Sequence, residues 1–419
     1  MTTDFTDIDN QLTNPAFFAG EHFHEVFKIL RKEDPVHWTT GSYGRGYWSV
    51  TRYDDLLEML DDPITYSSSA GTHLPPDARD LTEEERYKLG YDVQLVVADP
   101  PVHGQKRRPM NKHFSVPAVA RFHGDCDQIV EEILDRCQEL GEVDVVDDIA
   151  ALLPVNLFLN LMGVPREDWD YLRKITLRML HPQDAEYLEE GQDPTQAIIE
   201  ASAALYDYAH KHTMARRGHP TDDFASLIAN MTVEGGGLLD ERDAAWMSFS
   251  VIAGGLETTR NAAAIGIMEL IRRPEQAALL SDDKIAKSAV EEILRWVTPS
   301  KNRLRVATKD TVLGGREIKK GDWLVGWGVS ANRDESVFER ADQFDVTRFP
   351  NKHLAFGDGE HMCLGRNVAR LELLVLIQRL FARFPNMEIL GEPDWVASDN
   401  TTGLKRLRVR MNAAVPATA

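Results

Sequence analysis

The run F-G-D-G-E-H-M-C-L-G at 356–365 sets one cysteine, Cys363, between a glycine-rich turn and a predicted helix over 366–384. Gly357 and Gly359 allow the backbone a tight turn through positive φ, and Gly365 leaves the main chain open to close approach. A thiol at a helix start meets free N–H groups and the positive end of the helix dipole, which favour its thiolate. A lone thiolate presented in this way suits axial ligation of a haem iron, into which it pushes electron density that favours O–O cleavage. The bland alternative is a buried structural cysteine. It leaves the spacing F-x-x-G-x-x-x-C-x-G, which begins at Phe356, unexplained.

A second group lies in a predicted helix over 240–273. It opens with Asp240, Glu241 and Asp243, stops at Pro274, and is apolar or small all round, which places it in the core. Gly254 and Gly255 interrupt it at a cost of about 2 kcal/mol relative to alanine, and Glu257 and Thr258 follow. Close approach of a planar ligand accounts for the glycines; so does a helix–helix contact, with Glu257 solvated. Glu292 and Arg295, spaced i, i+3 on a predicted helix over 281–297, read alone as an exposed pair. His103 and Arg107 share a helix face at i, i+4, and Arg305 and His361 come later; singly, each reads as a surface charge.

Taken together and in this order, the segments from about 99 to 370 resemble a cytochrome P450. The resemblance implies a mainly α fold with small β-sheets, one domain over 1–419, and haem b held between the long central helix and the cysteine-loop helix. Cys363 would be the iron ligand. Gly254, Gly255, Phe356, Gly357 and Gly365 would shape the haem pocket, and His103, Arg107, Arg305 and His361 would hold its propionates through charge-assisted hydrogen bonds. Thr258 would bond the oxygen to be activated and Glu257 would relay protons to it. Glu292, Arg295 and Arg348 would form a buried cluster pinning the segment that leads to the cysteine. Substrate-facing positions would include Ser250, Ala253, Lys301, Asn302 and Thr402. Their polarity suggests a polar or anionic substrate group engaged by Lys301 or Asn302, although long cationic side chains also reach readily for propionates or solvent. Lys106, Arg108 and Lys112 would dock an acidic ferredoxin on the cysteine side. Glu360 departs from the apolar or neutral residue usual beside that histidine, which bears on the partner.

The implied activity is hydroxylation of a small, largely apolar molecule of terpenoid, steroid, fatty-acid or aromatic type. It would use O₂ and electrons from NAD(P)H through a ferredoxin reductase and a ferredoxin. A peroxide-driven peroxygenase and a non-catalytic haem sensor are the rival readings; the acid–alcohol pair at 257–258 argues against both.

The elements that must position these residues are mostly helices: 21–32, 53–60, 103–114, 118–140, 149–161, 166–179 and 194–217, besides those named. Strands are expected over 35–50 around a glycine-rich turn, at 306–313 and 323–329, and in the tail 387–411. The stretch 66–101 is long and irregular, as functional loops are, and the resemblance makes it a substrate-covering loop. The 419 residues carry 47 basic and 67 acidic side chains, a net charge of −20, which argues against nucleic acid or anionic membrane as partners. No apolar run reaches the roughly 18 residues of a membrane span, and the acidic, polar start resembles neither signal nor anchor, so a cytoplasmic protein is expected. Three cysteines make no disulfide framework; Cys126 and Cys137, on one helix face, read as small buried hydrophobes.

Overall fold

The expected central helix forms as Glu241–Ile271, 31 residues long, with the Asp240 side chain accepting from the Arg242 N–H at its start. Its uniform apolarity follows from enclosure. Helices Leu152–Leu161, Trp169–Leu180 and Pro194–Met214 pack on it from one side, and Asp283–Val297 and Arg366–Arg383 from the other. Cys126 and Cys137 are buried in the same core. The computed structural model describes residues 5–40, 45–75, 80–233 and 236–412; part of the glycine-rich turn expected near 41–46 lies outside them.

Beside the helices stands a five-stranded sheet in the order Val36–Thr39, Tyr47–Val50, Trp323–Trp327, Asn302–Ala307, Tyr66–Ser67. All neighbours are antiparallel except Tyr47–Val50 with Trp323–Trp327. The fold is thus mainly α with small β-sheets, as expected. Three local readings differ. The helix expected at 118–140 breaks into Val116–Ala120 and His123–Leu140, the first started by Pro117. A π-helical turn, Val145–Ala150, precedes Leu152–Leu161. The strand expected at 306–313 begins earlier, at Asn302, and Thr311–Leu313 belongs to a separate hairpin. Arg303 and Arg305 hid that earlier start: in a strand they fall on one face, while Leu304 and Val306 fall on the other, against Phe18, Phe23 and Trp327.

Two adjacent glutamates of Asp283–Val297 fix the cysteine loop from either side. Glu292, fully buried, accepts from Arg295 Nε and Nη2 at 2.8 Å each, Arg348 Nε at 3.1 Å, the Asp345 N–H at 2.8 Å and Asn351 Nδ2 at 3.1 Å. Arg295 also donates to the carbonyls of Asn332 and Ala341. Glu291 binds His353 Nε2 at 3.1 Å and, through both oxygens, Arg370 Nε and Nη2 at 2.7 and 2.8 Å. One glutamate therefore holds the approach to the loop; the other holds that approach and the helix that follows.

Although burial opposes it, the hydrogen bonds and charges of His353 and Arg370 hold the Glu291 carboxyl down to about 2, from an ordinary 4.5. A depressed carboxyl contributes stability that is complete above its unfolded value and is lost as pH falls through the folded one. Glu291→Gln should therefore lower the melting temperature at neutral pH and remove the part of the acid-induced loss that falls between about 4.5 and about 2. Thermal melts across that range check it; parallel wild-type and variant curves would count against it.

Candidate active site

The loop at 356–365 turns as its glycines predict. Gly357 and Gly359 have φ of 70° and 63°, and a Cβ on Gly359 would stand 2.6 Å from the Leu60 carbonyl oxygen. The Cys363 N–H donates to the Phe356 carbonyl at 2.9 Å, closing the loop. The thiol opens into a cavity. Helix Arg366–Arg383 begins three residues beyond it, with Gly365 at the N-cap. The N-cap N–H of Gly365 favours the thiolate, as expected of a helix start, but burial outweighs it. Enclosure pushes the Cys363 thiol above its ordinary value, against the Gly365 N–H and the guanidinium groups of Arg107, Arg303 and Arg366. A coordinated metal ion deprotonates such a thiol outright.

The cavity lies between Gly254, Thr258 and Ala262 of the central helix and Phe356, Gly357, Cys363 and Gly365 of the loop; its non-atom space, open mouth included, is about 1220 Å³. Phe158, Leu294 and Leu373 add apolar wall. Around one rim stand cationic and imidazole groups. Arg303 and Arg305 line the cavity, and neither makes an ion pair with any described residue; burial pushes both down to about 10. His361 lines it too, with the His103 ring behind at 4.2 Å between centroids. His103 Nε2 is buried without a hydrogen-bond partner, while its Nδ1 lies 3.6 Å from Glu360. Burial lowers His103 to about 4 and His361 to about 3, so both rings are neutral at pH 7. Arg107 does not reach the cavity wall; it donates to the Met362 carbonyl at 2.5 Å and braces the loop. A thiol on one wall, glycines at the plane and donors lacking anions at the rim are what a haem with two carboxylates requires, so the residues fit that group.

The paired glycines both line the cavity but differ in their surroundings. Nothing stands within 4 Å of a Cβ on Gly254, whereas a Cβ on Gly255 would meet Phe158 Cδ1 at 2.6 Å, a helix–helix contact. Thr258 lines the cavity and donates to the Gly254 carbonyl at 3.1 Å. Glu257 does not line it. Its buried carboxylate turns to His181 Nε2 at 2.7 Å and to Arg260 Nη1; despite burial, these neighbours hold it below the ordinary carboxylate value.

Other expectations are corrected. Lys301 is fully buried beneath Phe18 and Phe23, where it donates to the carbonyls of Ser398, at 2.9 Å, and Thr401, at 2.5 Å. Asn302 Nδ2 donates to Asp399 O and Asn400 Oδ1, and the Thr402 hydroxyl to Thr298 O. These side chains tie the sheet edge to the C-terminal loop. Ser250 donates back to the Trp246 carbonyl, and neither it nor Ala253 is among the cavity-lining residues. Lys106 is taken by Asp243 at 2.5 Å and the Val93 carbonyl at 2.7 Å. The resemblance implies substrate-facing positions over 299–304, and of these Pro299, Ser300 and Arg303 line the cavity; the sequence reading did not single out His73 or the His181–Arg260 clamp on Glu257. It also missed Glu372, a buried acid on the cysteine-loop helix that burial pushes up to about 8.

The glycine pair yields opposite expectations. Gly→Ala in a helix interior gains about 1 kcal/mol, and at Gly254 nothing in the protein opposes it. At Gly255 the gain meets an overpacking cost of about 1–3 kcal/mol against Phe158. Gly254→Ala should melt no lower than the wild type and Gly255→Ala below it, measured on the haem-free proteins. Equal melting temperatures for the two variants would refute the assignment.

The cytochrome P450 family model matches residues 14–404. The chain is 36% identical over 416 residues to the putative cytochrome P450 126 of Mycobacterium tuberculosis, covering 97% of each. It is 32% identical to linalool 8-monooxygenase of Pseudomonas putida, covering 95% of this chain and 98% of that protein. Among solved structures, CYP108D1 of Novosphingobium aromaticivorans superposes with a TM-score of 0.85 at 31% identity, covering 98% of this chain and 99% of its own. With the cysteine loop, the central-helix glycines and the matched length agreeing, the chain belongs to the cytochrome P450 family, whose members bind haem b and use O₂ for monooxygenation.

Proposed function

We propose that this enzyme hydroxylates a small, largely apolar organic molecule, with electrons delivered from NAD(P)H through a ferredoxin reductase and a ferredoxin. The observation that carries the reading is that Thr258 of the central helix and Cys363 of the loop line the same cavity. Apolar walls from Val96, Phe158 and Pro299 suit an apolar body, and a relative acts on linalool. Haem b, when bound, supplies the oxygen activation.

The chain's own residues manage position and protons. Cys363 would hold the iron. Thr258 keeps an O–H at the opposite wall, and Glu257, one residue before it, is the acid able to resupply that hydroxyl. For the carboxylate to deliver a proton it must leave the His181–Arg260 clamp, so Glu257 acts as a switched rather than a fixed donor. Arg108, Lys112 and Arg366, on the cysteine side, offer the basic surface for a ferredoxin; Lys106, bound to Asp243, takes no part. No described helix is long and apolar enough to cross a membrane, in keeping with a one-domain cytoplasmic enzyme.

The haem-loaded protein, reduced and exposed to carbon monoxide, should show the strongly red-shifted Soret band of a thiolate ligand, and Cys363→Ser should lose it. Glu257→Gln and Thr258→Ala should keep the band. Their product yield per NAD(P)H should fall by about 10²-fold as electrons divert to hydrogen peroxide. Full coupling in both variants would overturn the proton role, and turnover with peroxide but with no ferredoxin would overturn the electron route.

A further inference from the structure

At the carboxylate-binding rim Arg305 and His361 line the cavity with the His103 ring behind, while Arg107, turned to the Met362 carbonyl, acts on the two histidines electrostatically without reaching the wall. Arg305, His361 and His103 would serve the two propionates of a haem. Arg303 is a further donor, and it belongs to a different neighbourhood. Its Nη1 donates to the carbonyls of Ser300, at 3.3 Å, and Asn302, at 2.7 Å, and contacts Ser300 Oγ. Ser300 Oγ is 2.6 Å from His73 Nε2, and His73 Nδ1 is 3.0 Å from Thr72 Oγ1. Thr72, His73, Ser300 and Arg303 all line the cavity. They come from the 66–101 segment, from the turn after Asp283–Val297 and from the strand Asn302–Ala307.

Arg303 bonds through Nη1 alone. The Nε–Nη2 edge is the one by which Arg295 grips Glu292 and Arg370 grips Glu291 in this same protein. On Arg303 that edge has no acceptor among the described residues, and no carboxylate pairs with it. Burial lowers its value only to about 10, so the group is a cation at pH 7, whereas burial drives His73 to about 3 and leaves it neutral. A positive charge enclosed at the cavity wall without a carboxylate partner favours an anion, and a guanidinium edge favours a planar, two-oxygen one.

We propose that Arg303, held by Ser300 and backed by His73 and Thr72, recognises the carboxylate of an acidic substrate whose remaining body is apolar. The proposal rests on the monooxygenase reading and narrows its substrate class to organic acids. It also moves the polar contact from Lys301 to the residue two positions on. The net charge of −20 opposes capture of an anion from solution, so the preference must arise at contact with the guanidinium.

The test uses the haem-loaded full chain, titrated with dodecanoate, methyl dodecanoate, 4-butylbenzoate and methyl 4-butylbenzoate. Binding is followed by the spin-state shift of the haem and by calorimetry. In the wild type at least one acid should bind more tightly than its ester by about tenfold or more, the gain of a charge-assisted pair. Arg303→Gln should abolish that preference while keeping haem content and the carbon monoxide band, and Arg303→Lys should retain part of it. Equal binding of acid and ester throughout, or a preference that survives in Arg303→Gln, overturns the proposal. So does loss of haem from Arg303→Gln, which would assign Arg303 to a propionate. A wild type lacking the red-shifted band would instead overturn the monooxygenase reading beneath it.

Discussion

A carboxylate with no exposure to solvent, Glu292, carries the geometry of the whole proximal side. Two guanidinium groups, a backbone N–H and an amide converge on it, and the same guanidinium groups go on to donate to carbonyls of 332–343. Ionic groups taken out of water at this depth cost several kcal/mol each unless every donor and acceptor is satisfied. Here the satisfaction runs through an irregular segment with almost no regular structure of its own. The cluster thus converts an electrostatic requirement into the position of a loop. Glu291 extends the principle one residue along, onto His353 and Arg370, so the loop bearing Cys363 is tethered before and after its turn.

The cavity wall inverts that economy. Arg303 and Arg305 are enclosed and positively charged, with no carboxylate opposite; His103 keeps a buried nitrogen with nothing to bond. Charges this costly call for a partner, and a ligand in the cavity would supply it. The contrast with Glu292, where each charge is matched inside the protein, marks this wall as a binding surface. It also separates Lys301 from Arg303. Lys301 spends its three donors on carbonyls and the faces of Phe18 and Phe23, whereas Arg303 keeps its bidentate edge unbonded.

Much of this was legible in the sequence because the informative residues are local. The cysteine loop is ten consecutive residues, the central helix is one uninterrupted pattern, and Glu292 and Arg295 lie a turn apart. What was not legible depends on a second element. Gly254 and Gly255 are indistinguishable in the sequence; only the crossing of Leu152–Leu161 makes one a packing contact and leaves the other clear. Glu372 sits on a helix with several charged residues and reads as solvated, yet it is buried in the core. Lys106 looked like part of a basic surface because Asp243, its partner, is 137 positions away.

The error at Lys301 has a definite physical origin. Side chains two apart on a strand share a face, so Arg303 and Arg305 stand together at the cavity, and one further step of the same strand would have brought Lys301 beside them. The extension fails because the strand begins at Asn302. Just before it, Ser300 bridges to Thr401 and the Lys301 N–H donates to the Asn400 carbonyl, so the chain is already committed to the C-terminal loop. That pairing turns Lys301 under the aromatic cluster and frees the cavity face for Arg303. The strand's first residue, a boundary of the kind sequence patterns define least well, therefore decides which of two cations is structural and which is available to a substrate.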